Sequence, residues 1–223
     1  MTEESKRRAK KLAEESRSKG DATSWFETLY HLAAGDASNI PWADLAPHPG
    51  LAGWLASDAA TGNGRKTLVV GCGLGDDAEA LAAHGFNVTA FDIAPTAIEW
   101  AKRRFPGSSV DYQIADLFNA PPEWHRAFDF VAEVYTFQSL PGDIRPAAMA
   151  AAAQLVAPGG SMLVVCRARE PEEPVVGPPW HLAVTDLIVL TDAGLVQKRF
   201  YDYLDDQSPP TRRFRIEYRR PAA

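Results

Sequence analysis

The 223-residue chain holds only two cysteines, Cys72 and Cys166. No cysteine–histidine cluster has the spacing of metal ligands, so no metal is expected. Both cysteines fall in or at the ends of strand-like runs, where small buried packing residues are expected in preference to a redox pair. The apolar runs are strand-sized, far short of a membrane span, and the charged N-terminus has no apolar stretch of the signal-peptide kind. A cytoplasmic protein without membrane contact is the expectation. A net charge of −6 argues against a general nucleic-acid surface. Repeats, heptads and low-complexity tracts are missing too. What is there, 46% apolar and 23% charged residues, suits one α/β core with an N-terminal extension.

The chain is organised around Thr67-Leu-Val-Val-Gly-Cys-Gly-Leu-Gly-Asp-Asp-Ala78. An apolar, β-branched run breaks into a glycine turn and then an acidic, alanine-rich segment, which predicts strand, tight turn and helix start. Gly71, Gly73 and Gly75 permit positive φ and close approach of a ligand to the backbone. The dinucleotide fingerprint G-x-G-x-x-G is absent, because position 76 is Asp76. A carboxylate there would face a pyrophosphate at a helix N-terminus. A cationic ligand with an amino acid moiety and no phosphate, such as S-adenosylmethionine, suits the turn better.

Residues 2 to about 18 predict a charged helix with little apolar face, a solvated arm. Trp25, Tyr30, Trp42 and Trp54 then precede the core, around helices Ser24–Ala34 and Gly50–Ala59 and the loop Ile40-Pro-Trp-Ala-Asp44. They predict either a lid over a cofactor or acceptor, with Trp42 foremost, or rings capping the sheet. From residue 67, strands and helices alternate: strands 67–71, 87–92, 110–115, 128–134 and 161–167, with helices near 76–84, 95–104 and 143–156. That alternation predicts a Rossmann-like, doubly wound parallel sheet. A helix at 181–191 and strands 196–203 and 212–219 predict a closing antiparallel hairpin. Pro158-Gly-Gly160 predicts a turn before the fifth strand.

Asp92 ends the second strand, where an acid can accept both hydroxyls of a ribose or cap the helix beginning near Pro95. Asp116 ends the third strand, placed to accept from an adenine amino group or to make a turn. Glu133, Tyr135 and Phe137 follow the fourth strand, at the carboxyl edge where such sheets bind ligands. The segment there is Glu-Val-Tyr-Thr rather than Asn/Asp-Pro-Pro-Tyr/Phe, which counts against methylation of base amines.

Together these segments resemble class I S-adenosylmethionine-dependent methyltransferases, and more narrowly the thiopurine, thiol and halide group. Ile40-Pro-Trp-Ala-Asp44 resembles the group's Thr-Pro-Trp-Asp opening loop, and Gly71-Cys-Gly-Leu-Gly-Asp-Asp77 its Gly-Cys-Gly-x-Gly-x-Asp turn. Val88–Ile93 resembles the ribose strand and Asp116-Leu-Phe118 an Asp-Phe-Phe adenine segment. Leu140-Pro-Gly-Asp-Ile-Arg-Pro146 resembles a loop whose arginine, here Arg145, lies on the acceptor side, and Gly177-Pro-Pro-Trp180 an element lining the acceptor pocket. The resemblance implies a seven-stranded sheet, with residues 1–60 an extension or lid and 61–223 the methyltransferase domain. It implies S-adenosylmethionine as cofactor, held by Trp42, Gly71, Cys72, Gly73, Gly75, Asp77, Asp92, Ile93, Asp116, Leu117 and Glu133. A small-molecule acceptor, thiol favoured over oxygen or nitrogen, is implied beside Trp25, Tyr30, Tyr135, Arg145 and Trp180. Methyl transfer is expected by in-line displacement, aided by alignment and exclusion of water. Glu133, Tyr135, Arg145 and His181 are the candidate catalytic or acceptor-steering groups. An NAD(P)-binding reductase and a non-catalytic cofactor-binding protein are the rival classes.

Overall fold

A computed structural model describes residues 3–57 and 61–222. Its strands are β1 (Lys66–Val70), β2 (Asn87–Asp92), β3 (Asp111–Ile114), β4 (Phe128–Val134), β5 (Val156–Arg167), β6 (Val196–Leu204) and β7 (Arg212–Arg219). They form one seven-stranded sheet in the order β3-β2-β1-β4-β5-β7-β6. The β2–β3, β1–β4 and β4–β5 pairs are parallel, whereas β7 runs antiparallel to both β5 and β6. This is the doubly wound sheet with a terminal antiparallel hairpin that the alternation predicts. Among the described residues no helix is long and apolar enough to cross a membrane.

The chain divides into two compact units, Met1–Gly64 with Gly71–Asp116, and Arg65–Val70 with Leu117–Ala223. In the first unit, α1 (Glu3–Ser18) corrects the expectation of a solvated arm. It buries Ser5, Ala9, Ala13 and Ser16, and its alanines join a cluster with Trp25, Leu29 and Tyr30 of α2 (Ser24–Ala33) and with Ile40, Leu74 and Trp100. The stripe is made of small residues, so it reads as polar in a hydropathy scan while letting the helices pack closely. Helix α3 (Pro49–Leu55) is shorter than expected, and residues 58–59 of that expectation lie outside the described residues. The N-cap of α5 (Pro95–Arg104) is Ala94, which offers no side-chain acceptor. Glu27 of α2 supplies it, accepting from the Thr96 N–H (2.9 Å) and hydroxyl.

The turn into α4 (Asp76–Ala83) is fixed by packing. Gly75 has φ +92°, and a Cβ there would lie 2.3 Å from the Tyr112 hydroxyl oxygen. That hydroxyl donates to Glu79 Oε1 at 2.8 Å. Gly75→Ala is therefore expected to cost about 3 kcal/mol through backbone strain and overpacking. Urea denaturation should show that loss, with part of it recovered when Tyr112→Phe is added.

In the second unit, Val156 and Ser161 of β5 pair with Phe128 and Phe130 of β4. Residues 157–160 are thus a bulge inside β5, which corrects the expected turn before that strand. Gly159 (φ +75°) supplies the left-handed position. Helix α6 spans Arg145–Ala153. The helix expected over 181–191 is reduced to a 3₁₀ turn, Val184–Leu187, and α7 (Ile188–Asp192). Before it the chain lies along the end of β5: Trp180 N–H donates to Gln138 O, and Leu182 N–H to Arg167 O.

Candidate active site

In the first unit, the turn after β1 carries Gly71, Gly73 and Gly75 at φ +61°, +53° and +92°. Cys72 N–H donates to Phe91 O, tying the turn to β2. Asp92 completes the tie. Its Oδ2 accepts from Gly73 N–H and its Oδ1 from Ala94 N–H, both at 2.9 Å. The carboxyl is 7% exposed, and burial pushes its pKa up to about 6 against the pull of these N–H groups. A Cβ on Gly73 would approach the Tyr30 hydroxyl at 3.1 Å and Trp42 Nε1 at 4.0 Å. Trp42 donates its indole N–H to that hydroxyl at 2.8 Å. Gly73, Asp92, Tyr30 and Trp42 thus converge on one turn. Ile93 is half-buried beside Asp92, and half-buried Asp116 closes the unit two residues past β3.

Several residues expected at the cofactor or acceptor have other partners. Asp77 Oδ1 accepts from His48 N–H at 2.7 Å, pinning the loop before α3, and burial raises its pKa to about 6. Gly75 gives its Cβ space to Tyr112. Trp25 and Tyr30 are buried, and Trp25 stacks on Phe26 at 4.1 Å, so Trp25 is packing rather than acceptor contact. Trp54 is buried against Phe86. The lid reading therefore narrows to Trp42, the half-buried ring of the four. Asp76 forms a two-point pair with Arg104 at 2.7 and 2.8 Å, and Arg104 also donates to Leu74 O. Its charge is neutralised within the fold, so the argument against a pyrophosphate rests on the missing glycine and not on repulsion by Asp76. Burial raises the thiols of Cys72 and Cys166 well above their ordinary value, which suits inert packing residues.

In the second unit, Glu133 pairs in register with Val70, the residue before the glycine turn. It is fully buried. Its Oε1 accepts from Phe137 N–H at 2.8 Å, while Oε2 meets no partner among the described residues. Burial raises the carboxyl to about 8, with the Phe137 and Thr136 N–H groups opposing. Tyr135, next but one, adopts φ +70°, and burial raises its phenol to about 12. Leu117 is buried in a 3₁₀ turn, Leu117–Asn119.

Arg145, expected to steer an anionic acceptor, is 5% exposed. Its Nε donates to the carbonyls of Phe137 and Leu140 at 3.1 Å, and its Nη2 to Leu140 at 2.8 Å. It fastens the loop that follows β4, which corrects the steering role. Trp180 is 7% exposed, its backbone held by Gln138. His181 is half-buried, and burial, then Arg167 and Arg213, hold its imidazole below the ordinary value. Arg167 and Arg213 are site-edge cations that sequence reading missed. Nothing in the local pattern of β5 or β7 marks them; only the strand register brings them together. Among the described residues no group of three or more His, Cys, Asp or Glu is placed to hold a metal.

The fold is a Rossmann-like, doubly wound sheet with a glycine turn after its first strand. Residues 67–160 match the family model described as a methyltransferase domain. The chain is similar to the ubiquinone biosynthesis O-methyltransferase of Xylella fastidiosa, 38% identical over 105 residues, covering 46% of this chain and 42% of the relative. It is also similar to probable thiol methyltransferase 2 of Arabidopsis thaliana, 28% identical over 155 residues, covering 68% and 66%. The chain spans about half the length of the curated relatives it matches. A solved neighbour in fold is the 1,6-didemethyltoxoflavin-N1-methyltransferase of Burkholderia thailandensis, with bound 1,6-didemethyltoxoflavin and S-adenosylhomocysteine. Its TM-score is 0.68 at 18% identity, over 89% of this chain and 86% of that one.

Proposed function

We propose that the protein is an S-adenosylmethionine-dependent methyltransferase acting on a small-molecule nucleophile, with a thiol as the favoured acceptor. The observation that carries the reading is Asp92, a buried carboxyl locked onto the N–H of Gly73 in the glycine turn. A carboxylate has about four lone-pair sites, so beyond the Gly73 and Ala94 N–H groups Asp92 keeps acceptor capacity for ribose hydroxyls. The residues fit the cofactor elsewhere too. Gly73, at φ +53°, lets the turn pass close under the Tyr30 hydroxyl and Trp42 indole, where a Cβ would lie 3.1 Å from that hydroxyl. Trp42 presents an aromatic ring beside it, suited to a neighbouring cation at about 1 kcal/mol. In this reading Asp116 and Ile93 meet the adenine edge and face. When bound, S-adenosylmethionine supplies an electrophilic methyl group on a sulfonium. The chain's own task is to orient the cofactor and acceptor and to exclude water.

The thiol preference follows from the similarity to the thiol methyltransferase and from the Gly-Cys-Gly-x-Gly-x-Asp turn. A thiol titrating near neutrality needs no strong base. Transfer to oxygen is the second reading, and Glu133 favours it. A buried carboxyl raised to about 8 with one oxygen unpartnered is ionised above that pH, where it can accept a proton from a phenol. The similarity to ubiquinone O-methyltransferases points the same way. The test is release of S-adenosylhomocysteine from S-adenosylmethionine across matched panels of thiols, halides, phenols and amines. Turnover on thiols or halides alone supports the favoured reading. Turnover confined to phenols moves the assignment to O-transfer, and no binding of S-adenosylhomocysteine at all overturns both.

A further inference from the structure

We propose that Arg167 and Arg213, flanked by Tyr135 and His181, form a recognition site for a carboxylate carried by the methyl acceptor. The proposal rests on the methyltransferase reading and names the substrate class within it. Arg167 is the last residue of β5, and the antiparallel register sets it directly opposite Arg213 of β7. Tyr203 of β6 lies opposite Arg213 on its other side. Two like charges directly across a strand pair repel, so such a pair persists only where anions compensate it. The fold supplies one. Asp205 Oδ2 accepts from Nε and Nη2 of Arg213 at 2.8 and 2.5 Å.

One anion leaves the pair short. Arg213 is 3% exposed, and its Nη1 is buried with no acceptor among the described residues. Arg167 forms no ion pair among the described residues; its side chain meets the Tyr135 phenol, and its Nε is buried without an acceptor. Guanidinium groups do not deprotonate in proteins, so both charges stay. His181 is held below its ordinary pKa by burial and by these two arginines, with Glu173 opposing them. Asp205 alone pairs with either cation among the described residues, and the unfilled guanidinium donors match a carboxylate best. The Tyr135 ring, 5.2 Å from the Arg213 guanidinium carbon, gives the site an aromatic wall.

The place of the pair in the sheet assigns the carboxylate to the acceptor. In the sheet order β5 and β7 are the second and third strands from β1, whose end leads into the glycine turn. The anion recognised there belongs to the acceptor.

Calorimetric titration of the full chain with 2-mercaptobenzoate and its neutral isostere 2-mercaptobenzamide, with and without S-adenosylhomocysteine, tests this. The acid should bind at least about tenfold more tightly than the amide, as one charge-assisted pair implies. Arg167→Gln should bring the two within about threefold while S-adenosylhomocysteine binds as before, and Arg167→Lys should keep part of the preference. Arg213→Gln, folding verified by circular dichroism, should do the same. Equal binding of acid and amide by the unaltered protein overturns the proposal, as does a preference that survives both glutamine variants. A preference for the acid with no binding of S-adenosylhomocysteine supports the anion site and removes the methyltransferase reading instead.

Discussion

Replacing Glu133 by glutamine is expected to stabilise the protein at pH 8.5 by on the order of several kcal/mol and to flatten its stability against pH. The carboxyl is fully buried, and burial raises its pKa from 4.5 to about 8. In the unfolded chain it ionises near its ordinary value. Between about pH 4.5 and 8 the folded state therefore holds a proton that the unfolded state has lost, and stability falls as pH rises through that window. Below it the penalty is absent. Above it the penalty is complete. Glutamine keeps the oxygen that accepts from Phe137 N–H and removes the ionisation. Urea denaturation of both proteins at pH 5.5 and 8.5 reads the difference directly. The parent should lose much more stability than Glu133→Gln between the two values, and parallel losses would sink the account.

A carboxyl that weakens the fold at neutral pH, with one oxygen lacking a partner, is the pattern of a group kept for chemistry. Stability and function are then expected to trade against each other at this position. The stabilised Glu133→Gln variant should turn over more slowly on phenols, whose protons need an acceptor, than on thiols, which ionise unaided.

The sheet was legible in the sequence because its strands are short, apolar and β-branched, each bounded by turn residues. Lys66–Val70, Asn87–Asp92 and Phe128–Val134 fall within a residue of where the pattern sets them. The glycine turn and Asp92 were legible because a ligand-sized turn needs glycine at fixed offsets and an acid at the next strand's end. What stayed hidden depends on register and on small residues. Ser5, Ala9 and Ala13 bury a helix face that hydropathy scores as polar. Arg145 carries its charge in a loop similar to an acceptor loop, yet the nearby carbonyls of Phe137 and Leu140 take its donors. Arg167 and Arg213 lie 46 residues apart in the chain and meet only because β7 inserts beside β5. No local window contains that pairing. The bulge at 157–160 is hidden for a related reason: Pro-Gly-Gly announces a change of direction but not that the strand resumes its pairing afterwards.

Asp92→Asn is expected to raise the dissociation constant for S-adenosylhomocysteine about 10²-fold or more while costing the fold only about 1–3 kcal/mol. The two effects have separate causes. In the fold, each oxygen of Asp92 faces an N–H donor, Gly73 on one side and Ala94 on the other. An amide satisfies one of them and turns its own N–H₂ toward the other, so one hydrogen bond is lost and two donors meet. For the ligand, two hydroxyls donating to a charged acceptor lose that charge, and the glycine turn loses the anchor that shapes it. The pH dependence carries an independent sign. Burial raises Asp92 to about 6, so its carboxylate is intact above that value and protonated below it. Affinity for S-adenosylhomocysteine should therefore fall as pH drops through about 6 in the parent protein and stay flat in Asp92→Asn. Calorimetry at pH 5 and 7.5 on both proteins separates the cases. Affinity unchanged within about twofold by the substitution would remove Asp92 from the ribose and leave it as the clamp of the turn alone.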